Sequence, residues 1–469
     1  LKGTDKAGEI LKKYKDRPIL VYFDPDVDGL LSGYIACQYL ERQGLTYQYY
    51  LNKKREHGFK LPISAVKGYL ILAVDFDIDR ATMQALVDND CSIASFDHHE
   101  IGSEFIEVHS DTAEGVIVNN QYTFEEDENR YNSGAGVTYE GLCEIDPTFA
   151  SKELEAVVGI TLLSDARPIE NDRARKYLTT TFKQDCSKGY FNYLIQSVNV
   201  KDYGIGVPRM DRNFIDFTFS PLINSLLRFG KETEALDFIL GKGLRVSDTK
   251  DRQKALVKRM NDNANVLRMS SLIVVAIHAE DFPDIQIEPF IGLLCSQVKN
   301  LGTSAIAFVV DNGTVTRASF RGKYDDIHYD IGFKNMGIDA RGHKNAFGIL
   351  NFKPTAQTWQ ELNDLIEQLD EGHQVSANII QTANIATVLN NKGYAIATEN
   401  CYVRDQYRTY LRYSGKNIVE GVKTSKYLEY IVDGRRIKCF DADLKVSEGL
   451  ILPMLEKGHI QLYLKPEVE

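Results

Sequence analysis

Residues 17–29 read RPILVYFDPDVDG, an apolar run that ends in three aspartates at alternate positions, Asp24, Asp26 and Asp28, followed by Gly29. An unbroken apolar run, rather than a strict alternation, belongs to a strand covered on both faces, as in a parallel sheet. Leu31, Ile35 and Tyr39 then recur at helical spacing, which predicts a helix over residues 29–43. The same grammar repeats downstream. YLILAVDF (69–76) reads as a second buried strand, 81–90 as a helix, and 91–96 as a third strand running into Asp97-His98-His99-Glu100. GVIVN (115–119) reads as a fourth strand. Strands alternating with helices imply an open parallel sheet, whose ligands bind beyond the carboxyl ends of its strands. The acidic and histidine residues lie at those ends.

The remainder of the chain divides by composition. Residues 152–240 are mostly helical in pattern, broken by Gly189, Gly204, Gly206 and Pro208, and a charged segment at 247–265 predicts a connecting helix. Strands follow at 271–279, 305–311 and 314–320, with helices over 288–299 and 359–369. After residue 375 come a helix and a tyrosine-rich, β-like tail at 394–464. The predicted fold class is α/β: an N-terminal parallel-sheet domain (1–245), a linker helix (246–268), a smaller α/β domain (269–374) and a β-rich C-terminal region (375–469).

With 469 residues, 43% of them hydrophobic, the chain can bury a large core. No apolar run reaches the ~18 residues of a membrane span, and the charged start lacks the apolar region of a signal peptide. Seven scattered cysteines, without a CxxC pair, argue against a disulfide framework or a structural zinc site. A cytoplasmic location is expected. The formal charge of -11, from 66 acidic and 55 basic residues, would ordinarily count against a nucleic-acid partner.

The strand-end clusters qualify that inference. Carboxylates crowded after a buried strand repel one another unless a cation sits among them. Carboxylate oxygens with imidazole suit Mn²⁺ or Mg²⁺, and two such ions sharing a carboxylate can activate water toward a phosphoryl group. DxDxDG alone also describes a calcium-binding or solvated loop. A DHH triplet at a neighbouring strand end separates the two readings.

Asp24–Gly29, Asp75 and Asp97-His98-His99 together resemble the DHH phosphoesterase superfamily and, within it, the RecJ-like single-strand exonucleases. Asp165-Ala166-Arg167-Pro168-Ile169-Glu170-Asn171-Asp172-Arg173 is similar to the family's fourth motif, with one extra residue before Arg173. Ser133-Gly134-Ala135-Gly136-Val137 resembles its GAGV helix start. Phe219–Arg228 resembles a RecJ-specific stretch and offers Asn224 and Arg228 as backbone contacts. The resemblance implies that Asp24, Asp26 and Asp75 hold one metal, and that Asp28, Asp75, His98 and Asp165 hold the other. It implies that His99 orients the phosphate or the leaving oxygen, and that Asp97 fixes a histidine tautomer. Asp77 has no counterpart, and the cap of the following helix is an equal reading for it.

The second α/β domain resembles the DHHA1 substrate-binding domain through Gly342-His343-Lys344-Asn345-Ala346-Phe347-Gly348 and the strand Arg317–Gly322. The resemblance assigns substrate phosphate to Ser319, Arg321, Gly342 and His343. Arg341, Phe320 and Phe347 depart from the family's small residues. In the tail, residues 402–413 interleave arginine with tyrosine, which fits base stacking and a half-exposed strand equally. An OB-type domain is a candidate for this region.

The implied activity is hydrolysis of single-stranded DNA, from the 5′ end, by water activated between two divalent cations, Mn²⁺ in preference to Mg²⁺. Repair or recombination, with a single-strand-binding or replication partner, is the implied setting. Two rivals are a DHH enzyme of short oligonucleotides or cyclic dinucleotides, and a non-catalytic replication-factor scaffold.

Overall fold

The computed structural model describes the chain except residues 54–57, 100, 102–103, 123–131, 166, 168, 170, 199–209, 243–248, 300–302, 325–326, 372, 374–377, 383, 402–407, 416–417, 424–426, 440–445, 447–448, 457–458 and 467–469. The chain folds as two compact units: Leu1–Ser247 with Val375–Glu469, and Asp248–Gln374.

The first unit begins with α1 (Thr4–Lys13), β1 (Ile19–Phe23), α2 (Val27–Arg42), β2 (Gln48–Leu51), β3 (Leu70–Val74), α3 (Arg80–Asp88), β4 (Ser92–Asp97), β5 (Glu107–His109) and β6 (Glu114–Asn119). Its sheet runs in the order β2-β1-β3-β4-β6-β5, parallel except for β5. Every residue of β1 and β3 is buried. Alternate residues serve two cores. Val21, Phe23, Leu72 and Val74 pack with α1 and α2, whereas Leu20, Tyr22, Ile71 and Ala73 pack with Met83, Leu86 and Val87 of α3. Two covered faces leave no polar side, which accounts for the continuous apolar runs. Each fully buried Leu, Ile or Val contributes about 1.5–3 kcal/mol.

Helices α4 (Gly134–Ile145), α5 (Lys152–Ser164), α6 (Asp172–Phe182) and α7 (Gly189–Ser197) follow. A single turn, α8 (Arg212–Phe214), continues through the π-helical Ile215–Phe219 into α9 (Ser220–Arg228), and α10 (Glu232–Ile239) comes next. Short polar side chains start several of them. Asp26 accepts from Gly29 N at 2.9 Å before α2, Ser133 from Gly136 N at 3.1 Å before α4, and Asn171 from Ala174 N at 2.7 Å before α6. The α3 cap is Asp79, which accepts from Thr82 N, so Asp77 does not fill that role. Asp77 sits two residues too early to reach the first turn.

The second unit opens with α11 (Lys250–Asp262) and builds a sheet from β7 (Asn265–Arg268), β8 (Leu272–His278), β9 (Ser304–Asp311), β10 (Thr314–Arg321), β11 (Asp339–His343) and β12 (Ala346–Leu350). The order is β11-β12-β10-β9-β8-β7, and only β8 and β9 pair in parallel. Helices α12 (Ile291–Lys299), α13 (Tyr329–Asn335) and α14 (Ala356–Asp370) complete it.

The C-terminal part of the first unit holds β13 (Asn378–Thr382), α15 (Ile385–Val388), α16 (Tyr394–Glu399), β14 (Thr409–Tyr413), β15 (Ile418–Lys423), β16 (Leu428–Val432), β17 (Arg435–Cys439), β18 (Gly449–Glu456) and β19 (His459–Pro466). The strands form one mixed sheet in the order β13-β14-β18-β19-β17-β16-β15. Arg175 of α6 forks onto Glu399 at 3.0 and 2.7 Å, and Arg212 donates to Cys401 O at 2.9 Å. Residues 402–407 of the arginine–tyrosine stretch lie outside the described residues. All seven cysteines are free thiols. Among the described residues, no helix is long and apolar enough to cross a membrane.

Candidate metal centre

Sheet register assembles the site. Phe23, Val74 and Phe96 stand in one row across β1, β3 and β4. Asp24, Asp75 and Asp97, each the next residue, therefore stand side by side at the sheet's carboxyl edge. Asp75 adopts φ +53° while its N–H donates to Phe96 O at 2.8 Å. Left-handed backbone at a non-glycine residue costs about 1–3 kcal/mol and persists only where its surroundings enforce it.

Those surroundings include Gly134. A Cβ there would lie 2.2 Å from Asp75 Oδ1, so the close approach of α4 to Asp75 requires glycine. The same helix start holds Asp28, whose two oxygens accept from Gly134 N at 2.7 Å and Ala135 N at 2.9 Å. Amides at a helix N-terminus are a natural seat for a carboxylate.

His98 projects between these groups. Its Nε2 lies 3.1 Å from Asp75 Oδ1 and 3.8 Å from Asp28 Oδ2, and its Nδ1 lies 3.9 Å from Asp165 Oδ2. Asp75 Oδ1 and His98 Nδ1 are buried without a hydrogen bond among the described residues. Orphaned buried acceptors carry a desolvation cost that a bound cation removes. Among the described residues, two sets of ligand atoms fall within 4.8 Å of one another: Asp75, His98 and His99, and Asp28, His98 and Asp165. Oxygen and imidazole donors in this arrangement fit Mn²⁺ or Mg²⁺. Asp24 and Asp26 belong to neither set, and Asp26 Oδ1 is engaged at the α2 cap.

Without a cation the electrostatics are unfavourable. Burial, followed by the Asp165 and Asp26 charges, raises Asp28 to about 8, against the opposing amides of Ala135 and Gly134. Burial and the neighbouring Asp28, Asp26 and Asp24 hold Asp75 well above the carboxylate range. Burial drives His98 down to about 3, which keeps it a neutral ligand.

His99 behaves oppositely. Its Nδ1 lies 2.7 Å from Asp97 Oδ1. Desolvation opposes its charged form, but the Asp97 carboxylate and that hydrogen bond, aided by Asp24 and Asp165, raise His99 to about 10. Without a cation, the two neighbouring imidazoles are thus shifted in opposite directions.

Three supporting amides were not legible as site residues in the sequence. Asn119 Nδ2 donates to His99 O at 3.0 Å and Gln121 Nε2 to His98 O at 3.2 Å. Asn120 Nδ2 donates to Asn132 O at 3.3 Å, just before α4. The only sequence signal is the run Asn119-Asn120-Gln121 at the end of an apolar strand. Within the fourth motif, Asn171 caps α6 and Arg173 pairs with Glu140 at 2.7 Å, while Ala166, Pro168 and Glu170 lie outside the described residues.

Asn224 and Arg228 sit four residues apart on α9, both half-buried. The other sequence-assigned substrate residues belong to the second unit. Ser319 and Arg321 lie on β10, with Arg321 donating to Ser319 Oγ at 2.9 Å. Gly342 and His343 end β11, and Gly342 takes φ +138°.

Residues 18–161 match the DHH family, N-terminal domain. RecJ from Thermus thermophilus in complex with Mn²⁺ has a similar fold, with a TM-score of 0.69 and 17% identity over 100% of this chain and 72% of that one. The same protein with Mg²⁺ gives a TM-score of 0.61 at 15% identity, over 100% of this chain and 71% of that one. An exonuclease RecJ bound to manganese gives 0.55 at 18% identity, over 80% of this chain and 96% of that one. At such identities the likeness is one of fold. No curated protein matches the chain in sequence.

Proposed function

We propose that this chain, which carries a DHH-family domain and has a RecJ-like α/β fold, is a two-metal phosphodiesterase degrading single-stranded DNA from the 5′ end. The coarser part of this reading, a metal-dependent phosphoesterase, rests on the family match and the fold. One observation carries it to these residues: Asp75 Oδ1 and His98 Nδ1 are buried without a hydrogen bond among the described residues, within a cluster completed by Asp28 and Asp165.

In this proposal Asp24, Asp26, Asp28, Asp75, His98 and Asp165 hold two divalent cations, Mn²⁺ in preference to Mg²⁺. When bound, such ions supply Lewis acidity and a hydroxide nucleophile at neutral pH. The protein's own contribution is positional and electrostatic. The α4 amides fix Asp28, and Gly134 leaves room for Asp75. Neutral His98 offers a nitrogen lone pair. His99, held by Asp97, orients the phosphate or the leaving oxygen as charge develops there. In the second unit, Ser319, Arg321, Gly342 and His343 contact the phosphates of the strand.

A 5′-phosphorylated single strand labelled at either end, offered with Mn²⁺ beside a dinucleotide, tests the reading. Release of 5′ mononucleotides from the long strand supports it. Exclusive hydrolysis of the dinucleotide points to the short-substrate rival, and no hydrolysis of either points to a non-catalytic scaffold. Asp75→Ala should abolish activity, and unchanged activity overturns the assignment.

A further inference from the structure

The antiparallel register of β10, β12 and β11 sorts the second unit's sheet into two unlike faces. Ala318, Phe320, Ala340, Phe347 and Ile349 all enter its apolar core. Strand residues alternate between faces, so Arg317, Ser319 and Arg321 share the other side. Ser319 pairs with Gly348 and Gly348 with Arg341, while Arg321 pairs with Ala346 and Ala346 with His343. Paired residues project to the same side. The result is a row of basic side chains beside the small Gly348 and Ala346, with α12 packed over its Ser319 end, where Gly292 meets the Arg321 guanidinium.

Its arginines are not equally engaged. Arg341 forks onto Asp339, on the same face, at 3.0 and 3.1 Å. Arg321 donates to Ser319 Oγ and to Phe320 O. Arg317 makes no hydrogen bond or ion pair among the described residues, although it is half-buried. Its guanidinium lies over Gly348, where a Cβ would come within 3.4 Å of it. Burial alone lowers its pKa, with no compensating carboxylate among the described residues. A half-buried cation without a counter-charge is poorly placed unless a ligand supplies the anion.

We propose that Arg317 is a second phosphate contact, beyond Arg321, which makes this face a track for several successive phosphates of one nucleic-acid strand. This deepens the proposed function and rests on it. Four residues along a strand separate the two arginines by about 13 Å at the backbone. A ligand must therefore carry well-separated phosphates to engage both. The face selects oligonucleotides over mononucleotides and dinucleotides by length rather than by base.

The test is binding of phosphorothioate single strands, eight nucleotides and two nucleotides long, to the full chain with Mn²⁺ at several salt concentrations. For Arg317→Gln, affinity for the eight-nucleotide strand should fall about five- to tenfold, and the slope of log K against log salt should shrink by about 0.7, one phosphate's share. Dinucleotide affinity should stay unchanged, and Arg317→Lys should restore the slope. Arg268→Gln, on the far edge strand β7, is the control, and thermal melts confirm that each variant folds. An unchanged slope in Arg317→Gln, or an equal drop in the control, overturns the track. If the unaltered chain binds neither strand, the functional proposal itself falls, and the track falls with it.

Discussion

The carboxylate of Asp28 is seated on the first amide of a helix that starts 106 residues later, accepting from Gly134 N at 2.7 Å. Gly134 also leaves the space that Asp75 occupies, so one glycine governs two of the clustered acids. The helix start thus orders the centre before any ion arrives.

Gly134→Ala should therefore weaken divalent binding more than it weakens the fold. Its methyl group would collide with Asp75 Oδ1. Loss of partners that orient metal ligands typically costs about 10–100-fold in affinity. Calorimetric titration with Mn²⁺ should show a loss of that order, with the helical circular dichroism signal retained.

Metal binding should release protons. In the metal-free protein Asp28 lies at about 8 and Asp75 well above the usual range, so the cluster holds protons at neutral pH that an incoming cation displaces. Affinity for Mn²⁺ should rise with pH through neutrality as these protons are lost. The folded chain binds more of these protons than the unfolded one above ~4, so the metal-free protein should lose stability as pH climbs through that window. Titrations in buffers of different ionisation enthalpy, and melts from about pH 5 to 8, check both.

Asp97→Asn should return His99 from about 10 toward the ordinary histidine value of ~6.5, since it removes the carboxylate that holds the imidazolium. Imidazole resonances followed by NMR in the metal-free protein report the midpoint directly. A midpoint that stays near the raised value would show that Asp97 is not the cause.

Arg173→Ala should destabilise the first unit by about 2 kcal/mol, because Glu140 is buried and would keep only Tyr177 and Asn132 as partners among the described residues. Arg173→Lys should recover part of the loss. Urea unfolding measures both.

The acidic balance that counted against nucleic acid describes the whole chain rather than the face that meets a ligand. Asp24, Asp26, Asp28 and Asp75 bear on a cluster that calls for cations, while β10 turns Arg317 and Arg321 to one side of its sheet. Net charge sums over groups that the fold separates.

Local chemistry was enough for much of the fold. The apolar runs at 17–24, 69–76 and 91–96 read as doubly covered strands, and Asp24, Asp75 and Asp97-His98-His99 close them. Strand and ligand are adjacent in the chain, so one reading locates both. β11 and β12 escaped the sequence because Asp339-Ala340-Arg341-Gly342-His343 shows no apolar alternation, and its partner supplies what its own pattern lacks.

Chain order alone dictates which residues end which strands, and hence that Asp24, Asp75 and Asp97 gather at one edge of a parallel sheet. The groups that support them come from elsewhere and answer to packing. The amides of Gly134 and Ala135 on Asp28, the Asn119 and Gln121 clamps on the two histidine carbonyls, and Arg317 over Gly348 all join segments distant in the chain or on different strands. Contacts of that kind depend on register and helix placement, which the buried faces set together and no local pattern encodes.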